Sequence, residues 1–254
     1  EDLLTAYCAY RLGGGVKWVS TRSEDFLTSS HGRGVDTKID IALDAEGKIL
    51  ALRFHNWADM GAYPTMSGVA IQVLIGPWVS TSIYDITNID FQFTAVLTNT
   101  APTGPYRGAG RPEAIYIIER LMDAAARKLG LDPAELRRRN MIQPEQMPYK
   151  NAMGQSYDSG SFEKIMDQAL AASDWNGFAA RAAQSAKAGK LRGRGIATFL
   201  EWTGGNVFEE RVTVAVKANR EIEIYATTQA MGQGIATSYA QLAVDVFGVA
   251  LDNI

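Results

Sequence analysis

The stretch Thr103-Gly-Pro-Tyr-Arg-Gly-Ala-Gly-Arg-Pro-Glu113 lies between two segments of different periodicity. The run before it, from Ile89 to Thr98, is rich in β-branched and aromatic residues, which predicts a strand. The run after it, 112–129, carries apolar residues at helical spacing and predicts a helix that ends at Gly130. Pro112 fits the first turn of that helix, where a missing N–H costs nothing. The stretch is therefore a loop that leads from a strand into the N-terminus of a helix.

A loop of this kind suits an anionic ligand. Backbone N–H groups are free at a helix N-terminus, and Arg107 and Arg111 add positive charge beside them. Gly108 and Gly110 have no Cβ, so a ligand can approach the backbone closely. The pattern fits an ordinary tight turn equally well, with arginines that are solvated or pair with carboxylates. Spacing alone leaves both interpretations open.

Composition narrows the class of protein. The 254 residues suffice for one large or two small domains, and 46% hydrophobic and 21% charged residues are typical of a soluble globular protein. The net charge of −3, with no basic concentration, argues against nucleic acid as a partner. No apolar run approaches the roughly 20 residues of a membrane-spanning helix, and no signal peptide is visible, which favours a cytoplasmic location. Cys8 is the single cysteine and is expected to be a buried thiol.

Periodicity predicts the other elements of the first half. In chain order these are a helix at 1–12, a strand at 16–20, a helical turn at 22–27, a hairpin of 35–43 with 49–57, and a helix at 67–75. After the loop, Asp132 and Pro133 predict the start of a helix that runs to about Asn140. Residues 143–161 are polar and rich in Pro and Gly, as in a linker or surface excursion.

The second half repeats part of this order. Helices are predicted at 162–172 and 176–189, a strand at 193–202, a hairpin of 212–216 with 222–227, a glycine loop at 229–234, and a helix from 235. The sequence thus predicts an α+β fold of two similar units, each with an antiparallel or mixed sheet covered by helices, the second unit incomplete. The predicted boundaries are 1–142 for the first unit, 143–190 for a linker with helices, and 191–254 for the second.

The stretch 103–113, which we call the Gly–Arg loop, also resembles a segment of a known protein family. Pro105-Tyr-Arg-Gly-Ala-Gly-Arg-Pro-Glu113, a helix, and then Arg138-Arg-Arg-Asn-Met-Ile142 are similar to the xanthine dehydrogenase / aldehyde oxidase family. The resemblance is strongest to the molybdopterin-binding large subunit of the bacterial branch that includes aerobic carbon monoxide dehydrogenases. It covers nearly the whole chain, which we interpret as an excised piece of a longer polypeptide.

The resemblance implies a molybdopterin cofactor with an anionic tail, a cytosine dinucleotide being one candidate form. Two segments match the family's cofactor contacts, with Arg107 matching the arginine beside the molybdenum centre and Gln233 a glutamine at the cofactor. The implied cofactor-binding residues are Tyr106, Arg107, Gly108, Ala109, Gly110, Arg111, Met231, Gly232, Gln233 and Gly234. We therefore expect the 106–111 and 231–234 loops to lie close together in the intact enzyme.

The sequence also departs from the family pattern. The family's earlier Gly-Gly-X-Phe-Gly cofactor loop and its C-terminal glutamate base are expected outside this chain, so no catalytic residue is assigned within it. In carbon monoxide dehydrogenases of this branch a copper-ligating cysteine follows the arginine, and here that position is Gly108. His31 and His55 are isolated and predict no metal site. The chain alone is expected to be inactive and to carry no cofactor.

The function implied is oxidation of an aldehyde or N-heterocycle by a molybdenum hydroxylase, with water as the oxygen source. Cysteine clusters are absent, so electrons are expected to pass to separate iron–sulfur and FAD subunits. Glu201-Trp-Thr-Gly-Gly205 either reaches the substrate pocket or forms an ordinary turn. Two alternatives stay open: a non-catalytic anion-binding or interaction module, and a carbon monoxide dehydrogenase-like subunit without the copper ligand.

Overall fold

The computed structural model describes residues 2–201, 209–230 and 232–254. The chain forms two compact units, Glu1–Glu201 and Trp202–Ile254. Helices accompany small sheets, one mixed and two antiparallel, and this confirms the predicted α+β class. In the part of the chain that the structure describes, no helix is long and apolar enough to cross a membrane.

The first unit contains eight helices and five strands among its described residues. The helices are α1 (Asp2–Leu12), α2 (Arg22–Thr28), α3 (Met66–Ala70), α4 (Gly76–Trp78), α5 (Arg111–Leu129), α6 (Pro133–Asn140), α7 (Phe162–Ala172) and α8 (Phe178–Lys187). The strands are β1 (Val35–Leu43), β2 (Ile49–Asp59), β3 (Ile89–Val96), β4 (Tyr149–Lys150) and β5 (Ser156–Tyr157). A π-helical turn, Ile71–Ile75, joins α3 to α4 without a break.

The main sheet has the order β1-β2-β3. Strands β1 and β2 form the predicted hairpin, whose turn is held by Asp44: its Oδ1 accepts hydrogen bonds from the N–H groups of Glu46 and Lys48. Strand β3 pairs parallel to β2 with Leu52 opposite Ile89, so the segment between them crosses over before β3 leads into the Gly–Arg loop. This crossover contains α3, the π-helical turn and α4.

Helix α5 packs on the main sheet through its apolar stripe. Ile118 and Met122 are fully buried and belong to the same cluster as Phe54 of β2 and Leu136 of α6. Helix α5 ends at Gly130, whose φ of +67° lets its N–H return to the carbonyls of the last turn. These helix boundaries confirm the predictions made from Pro112 and Gly130.

A buried ion pair lies within this core. The Arg137 guanidinium is inaccessible to solvent, and its Nε donates to Glu119 Oε2 at 2.8 Å while Nη2 lies 3.0 Å from Asp123 Oδ1. The Tyr84 hydroxyl donates to Glu119 as well. Burial raises the pKa of Tyr84 well above its ordinary value, and the Glu119 carboxylate raises it further, so Tyr84 remains a donor. The charges are therefore compensated where they are desolvated.

Two predicted strands do not form. Residues 16–20 and the described part of 193–202 pair with no other strand, and Trp202 lies outside the described residues. The second segment has other partners: Ile196 O accepts from Arg137 Nη2 at 3.1 Å, and the Thr198 N–H donates to Glu119 Oε2 at 2.9 Å. Its backbone is thus held by the buried ion pair rather than by a neighbouring strand. Cys8 is half-buried, so the prediction of a buried thiol is wrong.

Residues 143–190 belong to the first compact unit, which differs from the boundaries predicted from sequence. Buried Asn151 donates to Trp78 O, and the Tyr157 hydroxyl donates to Ser82 O, each at 2.9 Å. These bonds attach the β4-β5 hairpin to the last residue of α4 and to the segment that follows it. The division of the intact protein into cofactor-binding units at 142 and 191 stays a prediction.

The second unit contains strands β6 (Thr213–Val216) and β7 (Ile222–Tyr225), followed by helix α9 (Ile235–Phe247). The two strands form the predicted antiparallel hairpin. Helix α9 begins after Gly234 and ends before Gly248, both in the left-handed region. Leu242 and Val246 of α9 are mostly exposed in this unit.

Candidate functional site

The base of the Gly–Arg loop is anchored by Thr103, which is buried. Its hydroxyl donates to Asp59 O, and its carbonyl accepts from Thr65 Oγ1 at 2.8 Å. The next N–H, of Gly104, donates to His31 O at 2.8 Å. The loop thus leaves the sheet from a point that is fixed by β2, α3 and the segment before β1.

Three consecutive left-handed residues shape the turn that follows. Gly108, Ala109 and Gly110 have φ values of +91°, +45° and +92°. A Cβ on Gly108 would lie 2.5 Å from Cγ of the Pro112 ring, and one on Gly110 would lie 2.9 Å from the carbonyl oxygen of Ile71. Both positions therefore require glycine for space as well as for backbone conformation.

Arg33 contacts the Gly–Arg loop at three points. Its Nη1 pairs with Glu113 Oε2 at 3.0 Å and its Nη2 donates to Arg107 O at 2.5 Å. The same guanidinium lies over the Tyr106 ring, 4.9 Å from the centroid. Sequence analysis missed Arg33, because it is far from the loop along the chain and no motif marks it.

Arg111 has a structural role within the loop. Its Nη1 donates to Gly108 O at 3.0 Å, and its Nε lies 3.2 Å from Glu201 Oε1. Its side chain is only 16% exposed. Arg111 therefore pairs with a carboxylate, that of Glu201, while its predicted contact with the cofactor stays a prediction. Residues 202–205 of the Glu201 motif lie outside the described residues.

Arg107 differs from Arg111. Its side chain is exposed, and no described residue accepts a hydrogen bond from its guanidinium. The N–H groups of Gly108 and Gly110 likewise have no acceptor among the described residues. A free guanidinium and free backbone N–H groups beside a helix N-terminus form a cradle for an anion. The exposed Tyr106 ring adds a flat surface next to it.

A wide cleft of about 1140 Å³ adjoins the loop at Tyr106. Phe26, Tyr63 and Thr100 line it, together with His31. His31 Nε2 lies 3.4 Å from Thr100 Oγ1, whereas His55 stacks on Trp57 elsewhere in the first unit. Within residues 2–201, 209–230 and 232–254, no three His, Cys, Asp or Glu side chains form a group able to hold a metal ion.

Asp59 stabilises the backbone next to the point where the Gly–Arg loop leaves the sheet. Its carboxylate accepts hydrogen bonds from the Gly61 N–H at 2.7 Å and from the Thr98 hydroxyl. Burial works to raise the pKa of Asp59, but these hydrogen bonds and the nearby His31 outweigh burial and lower it. Asp59 is therefore ionised at neutral pH and holds the turn from which Thr103 continues.

The second glycine loop belongs to the other compact unit. Gly232 and Gly234 have φ values of +89° and +76°, and Gly234 precedes α9 as Gly110 precedes α5. Gln233 Nε2 donates to Gln229 O at 2.8 Å, which closes the loop on itself. Met231 lies outside the described residues. The local geometry is that of a second helix N-terminus with glycine at the turn.

These features define a class of protein, and the chain belongs to it: the molybdopterin cofactor-binding domain family matches residues 1–141 and 168–254. The family predicted from the Gly–Arg loop is thus confirmed. The 106–111 loop lies within the first matched segment and the 231–234 loop within the second.

Known relatives agree with this assignment. The chain is 33% identical to the nicotine 6-hydroxylase large subunit of Paenarthrobacter nicotinovorans over 100% of its own length, and 34% identical to the carbon monoxide dehydrogenase large chain of Afipia carboxidovorans over 96%. It spans 32% of each, about a third of their length. Quinoline 2-oxidoreductase from Pseudomonas putida 86 superimposes with a TM-score of 0.86 at 30% identity, covering 99% of this chain and 34% of that one.

Proposed function

We propose that the chain is part of the large subunit of a molybdenum hydroxylase, and that its 106–111 loop binds the molybdopterin cofactor. The observation that carries this proposal is the separation of roles between the two arginines. Arg111 is engaged by Gly108 O and Glu201, whereas Arg107 and the N–H groups of Gly108 and Gly110 remain available to a ligand. An anion cradle of this composition fits a phosphate or pyrophosphate.

The molybdopterin, when bound, supplies the redox chemistry of a molybdenum hydroxylase, with water as the oxygen source. This chain's residues would bind and orient it: Arg107 by charge, the glycine N–H groups by hydrogen bonds, and Arg33 by holding the loop in shape. We propose that the 231–234 loop with Met231 and Gln233 contributes to the same cofactor, and that the tail is a cytosine dinucleotide. The general base is proposed to lie on another part of the polypeptide.

The substrate class we propose is an N-heterocycle or an aldehyde. Two of the similar proteins are named for N-heterocycles, nicotine and quinoline. Electrons would leave through iron–sulfur and FAD subunits in a cytoplasmic complex. A copper-containing carbon monoxide dehydrogenase is disfavoured, because Gly108 offers no soft donor for copper and its Cβ position is blocked by Pro112. We expect no stoichiometric copper in the purified complex.

The proposal is tested on the intact protein purified with its partner subunits. Arg107→Met should lower the molybdenum and pterin content at least about tenfold, because it removes a charge-assisted hydrogen bond to the cofactor. Arg53→Met is the matched control: Arg53 is an exposed arginine of β2 paired with Asp90, and its loss should leave the content unchanged. Wild-type molybdenum content in Arg107→Met would contradict the proposed contact, and absence of molybdenum from the wild-type complex would favour the non-catalytic module.

A further inference from the structure

A small cavity adjoins the Gly–Arg loop at Gly110. It is bounded by Phe54 and Asn56 of β2, Gln72 of the π-helical turn, Ser80, and Glu113, whose carboxylate already pairs with Arg33. Its volume is about 20 Å³. A single water molecule needs about 10–15 Å³ on the same measure, so the cavity accommodates one water and nothing larger.

Two residues of the cavity wall each carry a buried polar atom that has no hydrogen-bond partner among the described residues. Asn56 Oδ1 and Gln72 Nε2 are both inaccessible to solvent, and neither forms a hydrogen bond with a described residue. The Gln72 side chain is well buried, since the residue is 6% exposed. Buried polar groups are seldom left unpaired, because the loss of their hydration is uncompensated. Their shared position at one cavity indicates a shared partner.

The chemistry of the wall selects that partner. Asn56 Oδ1 accepts hydrogen bonds, whereas Gln72 Nε2 donates. Ser80 Oγ already donates to Gly76 O at 3.4 Å and keeps lone pairs for a further donor. A cation would meet the Gln72 donor, and an anion would meet the Asn56 acceptor. A neutral molecule that both donates and accepts satisfies all three, and water is the one that fits the volume.

We propose that Asn56, Gln72 and Ser80 bind one buried water molecule, which connects β2 to the π-helical turn next to Gly110. The π-helical turn and the start of α4 pack closely against the loop, since a Cβ on Gly110 would lie 2.9 Å from Ile71 O and 3.0 Å from Gly76 N. π-Helical turns often occur at functional sites. The water site is independent of the cofactor proposal, because it rests only on the wall of this cavity.

The first test is a crystal structure of the intact protein at a resolution that shows its other buried waters. We expect one water peak within hydrogen-bonding distance, about 2.7–3.2 Å, of Asn56 Oδ1 and Gln72 Nε2. Direct pairing of the two amides, or an empty cavity beside other well-defined buried waters, would overturn the proposal.

The second test is a double-mutant cycle followed by thermal unfolding, with Asn56→Leu and Gln72→Met. If one water bridges the two side chains, the first substitution already disrupts it, and the double variant should lose less in Tm than the sum of the single losses. Gln92→Met is the control, since Gln92 is exposed on β3; its effect should add to that of Asn56→Leu. Additive losses for Asn56 and Gln72 would show that they share no bridging molecule.

Discussion

Gly110 and Gly234 each precede a helix in the same left-handed conformation, with φ of +92° and +76°. Their surroundings differ. At Gly110 a Cβ would collide with the backbone of the π-helical turn, whereas at Gly234 it would meet no atom of a described residue within 4 Å. Among the described residues, then, close packing adds to the conformational requirement for glycine at Gly110 but not at Gly234.

The first loop is also held by distant charged residues. Arg33 Nη2 donates to the carbonyl oxygen of Arg107, and Glu201 pairs with Arg111. The segment that carries Glu201 is in turn fixed by Glu119, which accepts from the Thr198 N–H. For the second loop, the described contact of Gln233 Nε2 is local, to Gln229 O. The charged groups of the first loop are therefore held in place by residues outside that loop.

The largest effect is expected from Arg137→Met. This change leaves Glu119 buried without its cation, and breaking a buried pair costs about 3–5 kcal/mol. Because Glu119 also holds Thr198, hydrogen exchange should rise in residues 103–111 more than in 228–234. Chemical denaturation and hydrogen exchange measure the two effects.

The control for this experiment is Arg120→Met. Arg120 also pairs with Asp123, at 3.9 Å, but its side chain is 58% exposed. Exposed pairs contribute at most about 1 kcal/mol, so this variant should resemble wild type. Equal losses in both variants, or equal exchange in the two loops, would remove the distinction drawn between them.

The second-largest loss of stability is expected from alanine substitutions at Gly110 and Gly234, which can be compared directly. Gly234→Ala should cost about 1–2 kcal/mol, the strain of a left-handed alanine. Gly110→Ala should cost a further 1–3 kcal/mol or so, since backbone atoms must move to admit its Cβ. Urea denaturation monitored separately for each unit gives both values. If Gly110→Ala lowers the free energy of unfolding less than Gly234→Ala does, the backbone of the π-helical turn moves at little cost and the close packing at Gly110 is not required.

Local signals in the sequence explain why much of this architecture was predictable. Pro112, Gly130 and Asp132 define helix boundaries through bonds within a few residues, and α5 and α6 begin and end where they indicate. The glycine-rich turn was likewise visible from the sequence, and the family was predicted from the resemblance of residues 105–113 and 138–142. These features depend on short-range geometry, which a single sequence displays.

The features that escaped prediction depend on distant partners. A β-branched run becomes a strand only beside another strand, and residues 196–198 instead bond to Glu119 and Arg137. Arg33 reaches Arg107 O across 74 residues, and the pairing of Arg111 with Glu201 spans more. Which of the two loop arginines pairs with a carboxylate was therefore decided by tertiary contacts that no local pattern contains.

The smallest predicted effect is one of pH at Asp59, which supports only the first loop. The pKa of Asp59 is lowered in the folded protein, so its stabilising contribution is present above the ordinary aspartate pKa of about 3.9 and is lost as pH falls through the folded value. Acid should therefore increase hydrogen exchange in 98–104 before it affects 228–234. Asp59→Asn keeps an oxygen to accept from the Gly61 N–H but does not titrate, so it should remove this difference between the loops. If wild type and Asp59→Asn show the same acid profile in 98–104, the carboxylate charge contributes nothing to holding the first loop.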